Sequence, residues 1–351
     1  MAFLFSSNIS VLCFLSSEDV RARINVLSEL PGEWRDRLAR WADLNDRYRR
    51  DAREVTSPSR NDEYLLYQTL LGAWPPGELD EKRLRDFSDR IKGYMEKAIR
   101  EAQVNTSWTD PDEEYEAGVA HFVEALLSSE APFFPEFLPF QRRVARLGAI
   151  NGLSQTLLKF IAPGVPDVYQ GNELWDFSLV DPDNRRPVDF GSRKRLLADL
   201  KRLDTSSAAS LLEDSAWQDG RPKLYLIWKA LGLRREKPDL FEGGEYLPLE
   251  TSGECAAHLV AFARRRGVEL AIAVAPRLCA HLVDESGPLL PAPEKWAGTL
   301  VRLSGELAGA TYLNVLTGEK VTVEERDGEA SLPVNALLRD FPVALLTTDG
   351  R

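Results

Sequence analysis

Residues 163–190, PGVPDVYQGNELWDFSLVDPDNRRPVDF, form the part of the sequence that is richest in side chains suited to chemistry. At its start, Val165, Asp167 and Tyr169 alternate with their neighbours, and this period of two predicts a short strand over 165–169. The polar residues that follow predict a loop of about twenty residues, and loops of such length without regular structure are usually functional.

The segments on either side of this stretch predict helices. Residues 136–161 form a long and largely apolar helical pattern, and a second helix is predicted over 192–203. Helix, strand, loop and helix together make the repeating unit of a (β/α)8 barrel, whose functional sites lie at the carboxyl ends of the strands. We therefore interpret residues 136–203 as the last elements of an α/β barrel.

Residues 17–135, upstream of the barrel elements, read as a helical insertion. Ser16 and Asp19 have the spacing of a capping box, and Val20, Ile24 and Leu27 recur at helical intervals behind them. Later apolar patterns predict further helices, over residues 34–41, 61–74, 81–104 and 110–127.

Downstream, residues 204–240 predict a helical connection and residues 241–351 a β-domain. Six short apolar segments are separated by Gly, Pro and Asp, which is typical of a small antiparallel β-sandwich. The segments are residues 256–263, 268–275, 299–303, 310–314, 320–323 and 343–347.

Composition excludes several classes of function. The net charge of -11 leaves no basic face for a nucleic acid, so a neutral substrate is favoured. The three cysteines and three histidines are scattered without metal-binding or disulfide spacing, which predicts no metal and a reducing compartment. Residues 1–16 have neither the basic start of a signal peptide nor the length of a membrane span, and we interpret them as a strand remnant or a misplaced start.

Several long strings resemble one family, the maltooligosyltrehalose synthases, which belong to the α-amylase family of glycoside hydrolases and transglycosylases. The resemblance runs from Ser16 to the end of the chain and is far more specific than a short motif. The strings are SSEDVRARINVLSELP (16–31), YLLYQTLLGAWP (64–75), YMEKAIREAQVNTSWTDPDEEYE (94–116), the stretch over 163–190, and LPVNALLRDFPVALL (332–346).

This resemblance implies an isomerase that acts within a maltooligosaccharide. The α-1,4 linkage at the reducing end becomes an α,α-1,1 linkage, which is a step of trehalose biosynthesis from glucans. Members of the family have a TIM barrel with a helical insertion and a C-terminal β-domain, and they need no metal or organic cofactor. The resemblance also implies a cytoplasmic enzyme with a functional link to a maltooligosyltrehalose trehalohydrolase.

The family's catalytic groups are not expected in this chain. A retaining transfer needs a nucleophilic carboxylate and an acid about 5 Å apart, and the resemblance places both upstream of Met1. A third aspartate of the family falls on Cys13, and the lysine after it falls on Leu15, so neither position keeps the family's residue. We therefore predict a C-terminal portion of such an enzyme, with a truncated or aberrant segment at 1–16.

Arg185 is the leading substrate-binding candidate, because Arg185–Phe190 is similar to an Arg-Thr-Pro-Met-Gln-Trp string of α-glucosidase relatives. A guanidinium binds vicinal hydroxyls or orients a carboxylate, but this one would equally pin the loop by pairing with Asp181 or Asp183. Asp181, Asp183 and Asn184 suit sugar hydroxyls, and they are also ordinary turn formers.

Tyr169 and Glu173 complete the predicted substrate-binding set, because both flank the end of the predicted strand. Indirect support of the site is the favoured role for Glu173, since no acid partner lies near it in sequence. Trp175 and Phe177 suit either stacking on a glucose ring or core packing. Trp108 is predicted either to line the cleft or to belong to a turn in which Thr109 or Asp110 caps the next helix.

The expected function is accordingly the isomerisation of maltooligosaccharides that the family resemblance implies. This chain alone is expected to be inactive. A catalytically dead α-glucan-binding module is the alternative. A third possibility is an unfolded remnant, because an open barrel exposes unpaired strand edges.

Overall fold

The computed structural model describes residues 16–348, except for 53–54, 214, 304–306, 308–310 and 327–328. The predictions for Cys13 and Leu15 lie outside these residues. Within the described part, no helix is both long enough and apolar enough to cross a bilayer. The chain forms two compact units, the first containing residues up to Gly148 together with Asp176–Pro187, the second Ala149–Trp175 together with residues from Val188 onward.

The first unit is mainly helical, with one small hairpin. The hairpin pairs Arg50 with Ser57 and Ala52 with Val55. In chain order, its elements are α1 (Glu18–Asn25), α2 (Pro31–Asn45), β1 (Arg50–Ala52), β2 (Val55–Ser57), α3 (Arg60–Ala73), α4 (Glu81–Ala102), α5 (Glu113–Leu126) and the first half of α6 (Phe133–Ile161).

Helix α4 shows how the local sequence sets an element of this unit. Its N-cap residue Asp80 accepts a hydrogen bond from the Arg83 amide at 2.8 Å, which satisfies a backbone donor of the first turn. The helix ends at Gln103, whose φ of 55° is left-handed and stops the helical path. Its inward face is apolar, as the sequence predicts, with Leu84, Phe87, Ile91 and Met95 all buried.

Aromatic side chains from α2, α3 and α6 form the centre of the first unit. Trp41 is fully buried, and its ring centroid lies 5.4 Å from that of Tyr67 and 5.5 Å from that of Phe133, both edge-on. Edge-to-face rings at such separations add a specific attraction to the burial of apolar area. This cluster therefore fixes how the three helices pack.

The second unit combines helices with antiparallel strands. After the second half of α6 come α7 (Phe190–Leu200), α8 (Arg221–Glu236) and α9 (Pro238–Gly243), and α10 (Val334–Leu337) lies near the C-terminus. The strands are β3 (Glu245–Pro248), β4 (Thr251–Ser252), β5 (Leu259–Arg266), β6 (Glu269–Pro276), β7 (Leu300–Leu303), β8 (Thr311–Asn314), β9 (Lys320–Thr322), β10 (Glu324–Arg326), β11 (Glu329–Pro333) and β12 (Ala344–Thr348).

These strands form two antiparallel sheets, of six and four strands. The larger has the order β3-β5-β6-β12-β8-β9 and the smaller the order β10-β11-β7-β4. One buried apolar cluster draws on both sheets, with Ile272 and Leu346 from the larger and Val301 and Leu332 from the smaller. A shared core explains why strands as short as β7 are stable here.

The strand predicted over 165–169 is wrong, because these residues are extended coil. Alternation alone does not make a strand, since a strand also needs a partner for its backbone groups. Every strand pair in the described residues is antiparallel and none includes this segment, in which Val165 is 95% exposed. The described part of the chain contains no closed barrel, and both the barrel interpretation and the sandwich stay predictions.

Two predicted helix starts are also wrong. The N-cap of α1 is Ser17, without a side-chain cap, and Asp19 instead accepts a hydrogen bond from the Asp176 amide at 2.8 Å. Helix α5 begins at Glu113 and is capped by Asp112, so neither Thr109 nor Asp110 is the cap. In both cases the observed cap lies one to three residues from the predicted one, because several neighbouring polar side chains are suited to cap a helix.

Candidate functional site

The predicted substrate loop is divided between the two units. Residues 176–187 belong to the first unit, while residues 163–175 and 188–190 belong to the second. Four of the six predicted substrate-binding residues, Asp181, Asp183, Asn184 and Arg185, are therefore together in the first unit. Tyr169 and Glu173 lie in the second, and each group is described within its own unit.

Asp183 lies at the start of a single 3-10 turn, Asp183–Arg185, and its carboxylate is fully engaged. Arg90 of α4 donates from Nε to Oδ1 at 3.0 Å and from Nη2 to Oδ2 at 2.9 Å. The Leu179 amide donates to Oδ2 at 2.8 Å, and Arg186 is also paired with this carboxylate, at 3.1 Å. Asp183 therefore holds the loop in place, and direct contact of its carboxylate with a sugar stays a prediction.

The electrostatics of Asp183 agree with this role. Burial by itself would raise the pKa of Asp183, but the hydrogen bonds and positive charge of Arg90, together with the Leu179 amide, bring it below its ordinary value. The side chain of Asp183 is only 11% exposed and that of Arg90 19%. The carboxylate therefore stays ionised at neutral pH and accepts from charged donors, which makes the pair one of the stronger contacts of the loop.

Arg185 and Asp181 form an ion pair on the outer side of the same turn. The side chain of Arg185 is 74% exposed and that of Asp181 39% exposed, so the guanidinium is accessible to a ligand. Lys97 of α4 donates from Nζ to the Asp181 carbonyl at 2.7 Å. The pairing predicted as an alternative role for Arg185 is therefore present, and it also orients the guanidinium at the surface.

Asn184, between these two residues, has an unused acceptor. Its Oδ1 atom is buried and has no hydrogen-bond partner among the residues that the structure describes. Buried acceptors in folded proteins are nearly always paired with protein or water. Because this oxygen is enclosed by the protein, direct contact of Asn184 with a sugar stays a prediction.

Residues 176–178, where the loop segment of the first unit begins, are anchored by two residues that the sequence analysis did not select, Ser17 and Arg23 of the α1 region. The Ser17 amide donates to the Ser178 carbonyl at 3.1 Å, and the Ser17 hydroxyl donates to the Asp176 carbonyl. The Arg23 guanidinium lies 3.5 Å from the centre of the Phe177 ring. Phe177 therefore serves in packing, which is one of its two predicted roles.

Arg23 also closes the end of α3. It is buried and donates from Nη1 to the carbonyls of Gly72 at 3.0 Å and Trp74 at 2.7 Å. Burial lowers the pKa of Arg23 to about 9, and Asp19 opposes this shift, so the guanidinium is charged at neutral pH. The local sequence does not predict this role, because the carbonyl groups that Arg23 binds lie about fifty residues away in the chain.

In the second unit, Glu173 is paired with Arg193 of α7. Arg193 donates from Nε to Oε2 of Glu173 at 3.0 Å and from Nη2 to the Gly171 carbonyl at 2.7 Å. Gly171 has a φ of 96°, a left-handed conformation that favours glycine at this bend. Glu173 thus supports the bend through Arg193, and its indirect role in substrate binding stays a prediction. Tyr169 is 49% exposed and accessible.

The remaining aromatic candidates are placed differently from one another. Trp175 donates from its indole nitrogen to the Trp217 carbonyl at 2.7 Å and is partly buried, in agreement with packing. Trp108 is 57% exposed, with the Arg100 guanidinium 4.8 Å from its ring centre. The predicted capping of the next helix by Thr109 or Asp110 is wrong, because its cap is Asp112, and a role of Trp108 in lining the cleft stays a prediction.

Metal-binding groups do not converge in the described part of the chain. No three His, Cys, Asp or Glu side chains there come together in a way that would hold an ion. Cys255 and Cys279 are both free thiols. Within the first unit the loop presents the exposed guanidinium of Arg185, and within the second unit the exposed phenol of Tyr169, and both kinds of group bind neutral polyhydroxylated ligands.

Comparison with known proteins identifies what the chain is similar to. No model of a protein family matches it. A Mycobacterium tuberculosis protein assigned as a maltooligosyl trehalose synthase is 34% identical over 333 residues, which cover 95% of this chain and 36% of that protein. The same values hold for the protein of a second strain of that species. The chain therefore spans about a third of the length of these relatives.

Solved structures lead to the same group. Maltooligosyltrehalose synthase from Arthrobacter ramosus superposes with a TM-score of 0.73 at 33% identity, over 95% of this chain and 37% of that one. A hypothetical maltooligosyl trehalose synthase from Sulfolobus tokodaii superposes with a TM-score of 0.65 at 27% identity, over 95% and 37% of the two chains. The structural similarity extends through both units, because each of these superpositions covers 95% of the chain.

Proposed function

Because this chain belongs to the maltooligosyltrehalose synthase family and matches about a third of the length of its relatives, we propose that the complete enzyme rearranges the reducing end of maltooligosaccharides. The α-1,4 linkage there would become an α,α-1,1 linkage, so the reaction is an isomerisation that leaves a trehalose unit at the end of the chain. The observation that carries this proposal is the identity of 34% over 333 residues.

The contribution of this chain is the glucan-binding loop. Arg185 is the central contact, because its exposed guanidinium is oriented by Asp181 and presents donors that suit vicinal hydroxyls. Tyr169 offers an exposed ring for stacking on a sugar. Asp183 and Glu173 act through their arginine partners, which fix the backbone that carries these groups.

By itself, the chain is proposed to bind glucan without converting it. Glycosyl transfer with retention requires a nucleophile and an acid about 5 Å apart, and we expect both groups in the part of the relatives that this chain does not match. The alternative function, a glucan-binding module without catalysis, differs from this proposal only in whether a longer protein carries the activity.

Two assays on the purified chain test these statements. Incubation with maltohexaose is expected to leave the number of reducing ends unchanged, because no linkage is rearranged. Calorimetric titration with the same sugar is expected to show binding. Loss of reducing ends with formation of a non-reducing product would contradict the proposal of an inactive chain, and absence of binding would contradict the role of the loop.

Arg185→Ala tests the loop more directly. We expect the affinity for maltohexaose to fall about tenfold or more, because hydrogen bonds from a charged donor contribute about 1.5–3 kcal/mol. The matched control is Arg202→Ala, which removes another exposed arginine, 81% accessible and paired with Asp199 three residues before it. Equal affinities for both variants would rule out Arg185 as a sugar contact.

For the whole protein, we propose a cytoplasmic enzyme whose product is used by a maltooligosyltrehalose trehalohydrolase. The product of the rearrangement carries a trehalose unit, and a hydrolase specific for the adjoining linkage would release it. Adding such a hydrolase to the full-length protein and maltohexaose is expected to yield free trehalose. No trehalose from the combined enzymes, with the hydrolase active on a synthetic substrate, would contradict this link.

A further inference from the structure

One face of α4 is built to hold the substrate loop. Arg90 and Lys97 are seven residues apart, which places them on the same side of a helix, two turns from each other. The adjoining face carries Leu84, Phe87 and Ile91, all buried in the core of the first unit, and the Arg90 guanidinium lies 5.6 Å from the centre of the Phe87 ring. The helix therefore offers two cations on a support that is itself fixed by packing.

The two cations contact the loop at three places. Arg90 binds both oxygens of the Asp183 carboxylate, at 3.0 and 2.9 Å, and the same guanidinium donates to the Phe177 carbonyl at 3.1 Å. Lys97 donates to the Asp181 carbonyl at 2.7 Å. Together these bonds connect α4 to the start of the segment 176–187, at Phe177, and to its middle, at Asp181 and Asp183.

We infer that Arg90 is a positioning residue for glucan recognition, acting through Asp183. The residues that it holds in place are Asn184 and Arg185, which directly follow Asp183 in the turn. An error of about 1 Å in the position of such groups weakens a ligand site strongly. This inference rests on the proposed function, because it assumes that the loop binds a maltooligosaccharide.

The geometry requires an arginine at position 90. A planar guanidinium has several donors in a fixed fork, so it binds a carboxylate with two bonds and still reaches a carbonyl. A lysine ammonium is a compact charge, and at this position it would keep the attraction to Asp183 but lose the parallel pair of bonds. Arg90→Lys should therefore restore only part of the function that Arg90→Ala removes.

Hydrogen exchange of the purified chain tests the positioning role without a ligand. We expect Arg90→Ala to raise the exchange rates of amides in 176–187 by about tenfold or more, because charge-assisted hydrogen bonds are the stronger ones in proteins. Asp183→Asn is expected to do the same, and Arg90→Lys to give intermediate rates. The matched control is Arg85→Ala on the same helix, whose side chain is 70% exposed and paired with Glu81.

The double variant separates a specific role from general loss of structure. If Arg90 acts through Asp183, then Arg90→Ala together with Asp183→Asn raises the exchange rates no further than Arg90→Ala alone. Full additivity of the two substitutions would overturn the inference. Unchanged exchange in Arg90→Ala, or an equal rise in Arg85→Ala, would also overturn it.

Titration with maltohexaose completes the experiment and keeps the two proposals apart. The expected result is a weaker affinity of Arg90→Ala by about tenfold, following the loss of loop order, with Arg85→Ala unchanged. Failure of the unsubstituted chain to bind would contradict the proposed function, while the exchange data would still decide whether Arg90 holds the loop. Looser exchange in Arg90→Ala with undiminished affinity would overturn its role in recognition.

Discussion

Gly148→Ala is predicted to destabilise the helical unit, although alanine is normally the better helix former. Gly148 lies within α6 and faces α1. A Cβ atom built there would lie 2.4 Å from the Cγ atom of Arg23 and 2.8 Å from its Cα atom. Because the second of these atoms is backbone, turning the end of a side chain does not relieve the contact, and α1 has to move.

The magnitude follows from three opposing effects. Replacing glycine by alanine inside a helix stabilises it by about 1 kcal/mol. Overpacking of a filled interior costs about 1–3 kcal/mol. A shift of α1 also stretches the bonds from Arg23 to the carbonyls of Gly72 and Trp74, and losing one hydrogen bond to a charged group costs about 1.5–3 kcal/mol. The net expectation is a loss of about 1.5–5 kcal/mol.

Urea unfolding followed by tryptophan fluorescence measures this loss, since the first unit contains buried Trp34 and Trp41. Gly93→Ala is the matched control. Gly93 is an exposed position in α4, and a Cβ atom added there would have no other atom within 4 Å. Only the helix preference acts at this position, so the variant should be more stable by about 1 kcal/mol.

The result that contradicts the reasoning is a midpoint for Gly148→Ala equal to or above that of the unsubstituted chain, while Gly93→Ala is stabilised as expected. In that case α1 would be free to adjust without strain, and the close approach of Gly148 to Arg23 would have no energetic importance.

Two further predictions concern buried polar groups. Tyr225→Phe should lower the free energy of unfolding by about 1 kcal/mol, because the buried hydroxyl donates to the Leu316 carbonyl at 2.6 Å; an unchanged value in urea unfolding would mean that this bond has no net effect. For Asp62, burial raises the pKa above its ordinary value despite the hydrogen bonds from Tyr115 and Ser59. The folded state then binds more protons than the unfolded state between the unfolded pKa, about 3.9, and the folded one. The contribution of Asp62 to folding stability is thus largest below this window and declines as pH rises through it. The free energy of unfolding of the chain minus that of Asp62→Asn should therefore fall from pH 4 to pH 7. A difference that stays flat or rises contradicts this prediction.

The helices were predictable because their cause is local. Apolar residues at helical intervals with a capping residue just before them describe α4 almost completely, and its predicted bounds, 81–104, end within two residues of the observed helix. The strand over 165–169 failed for the opposite reason. Alternation of side chains is local, but the backbone partner that makes a strand is supplied from elsewhere in the chain.

The candidate site divides in the same way. The pairing of Arg185 with Asp181 was predicted from the sequence as one of two roles for this arginine, because the two residues are only four positions apart. The contact of Arg90 with Asp183 was not, because 93 residues separate them and neither residue type is unusual in its surroundings. Long-range ion pairs depend on how whole elements pack, and local patterns in a single sequence do not reveal that packing.

The same separation has a consequence for synthesis on the ribosome. The first unit is discontinuous, since the segment 176–187 returns to it after α6 has entered the second unit. At about 5–20 residues per second, α4 is complete several seconds before Asp183 leaves the ribosome, and until then Arg90 and Lys97 lack the partners that this loop supplies. Expression fragments intended to contain the helical unit should therefore extend beyond Pro187, because any earlier end removes the segment against which this face of α4 is ordered.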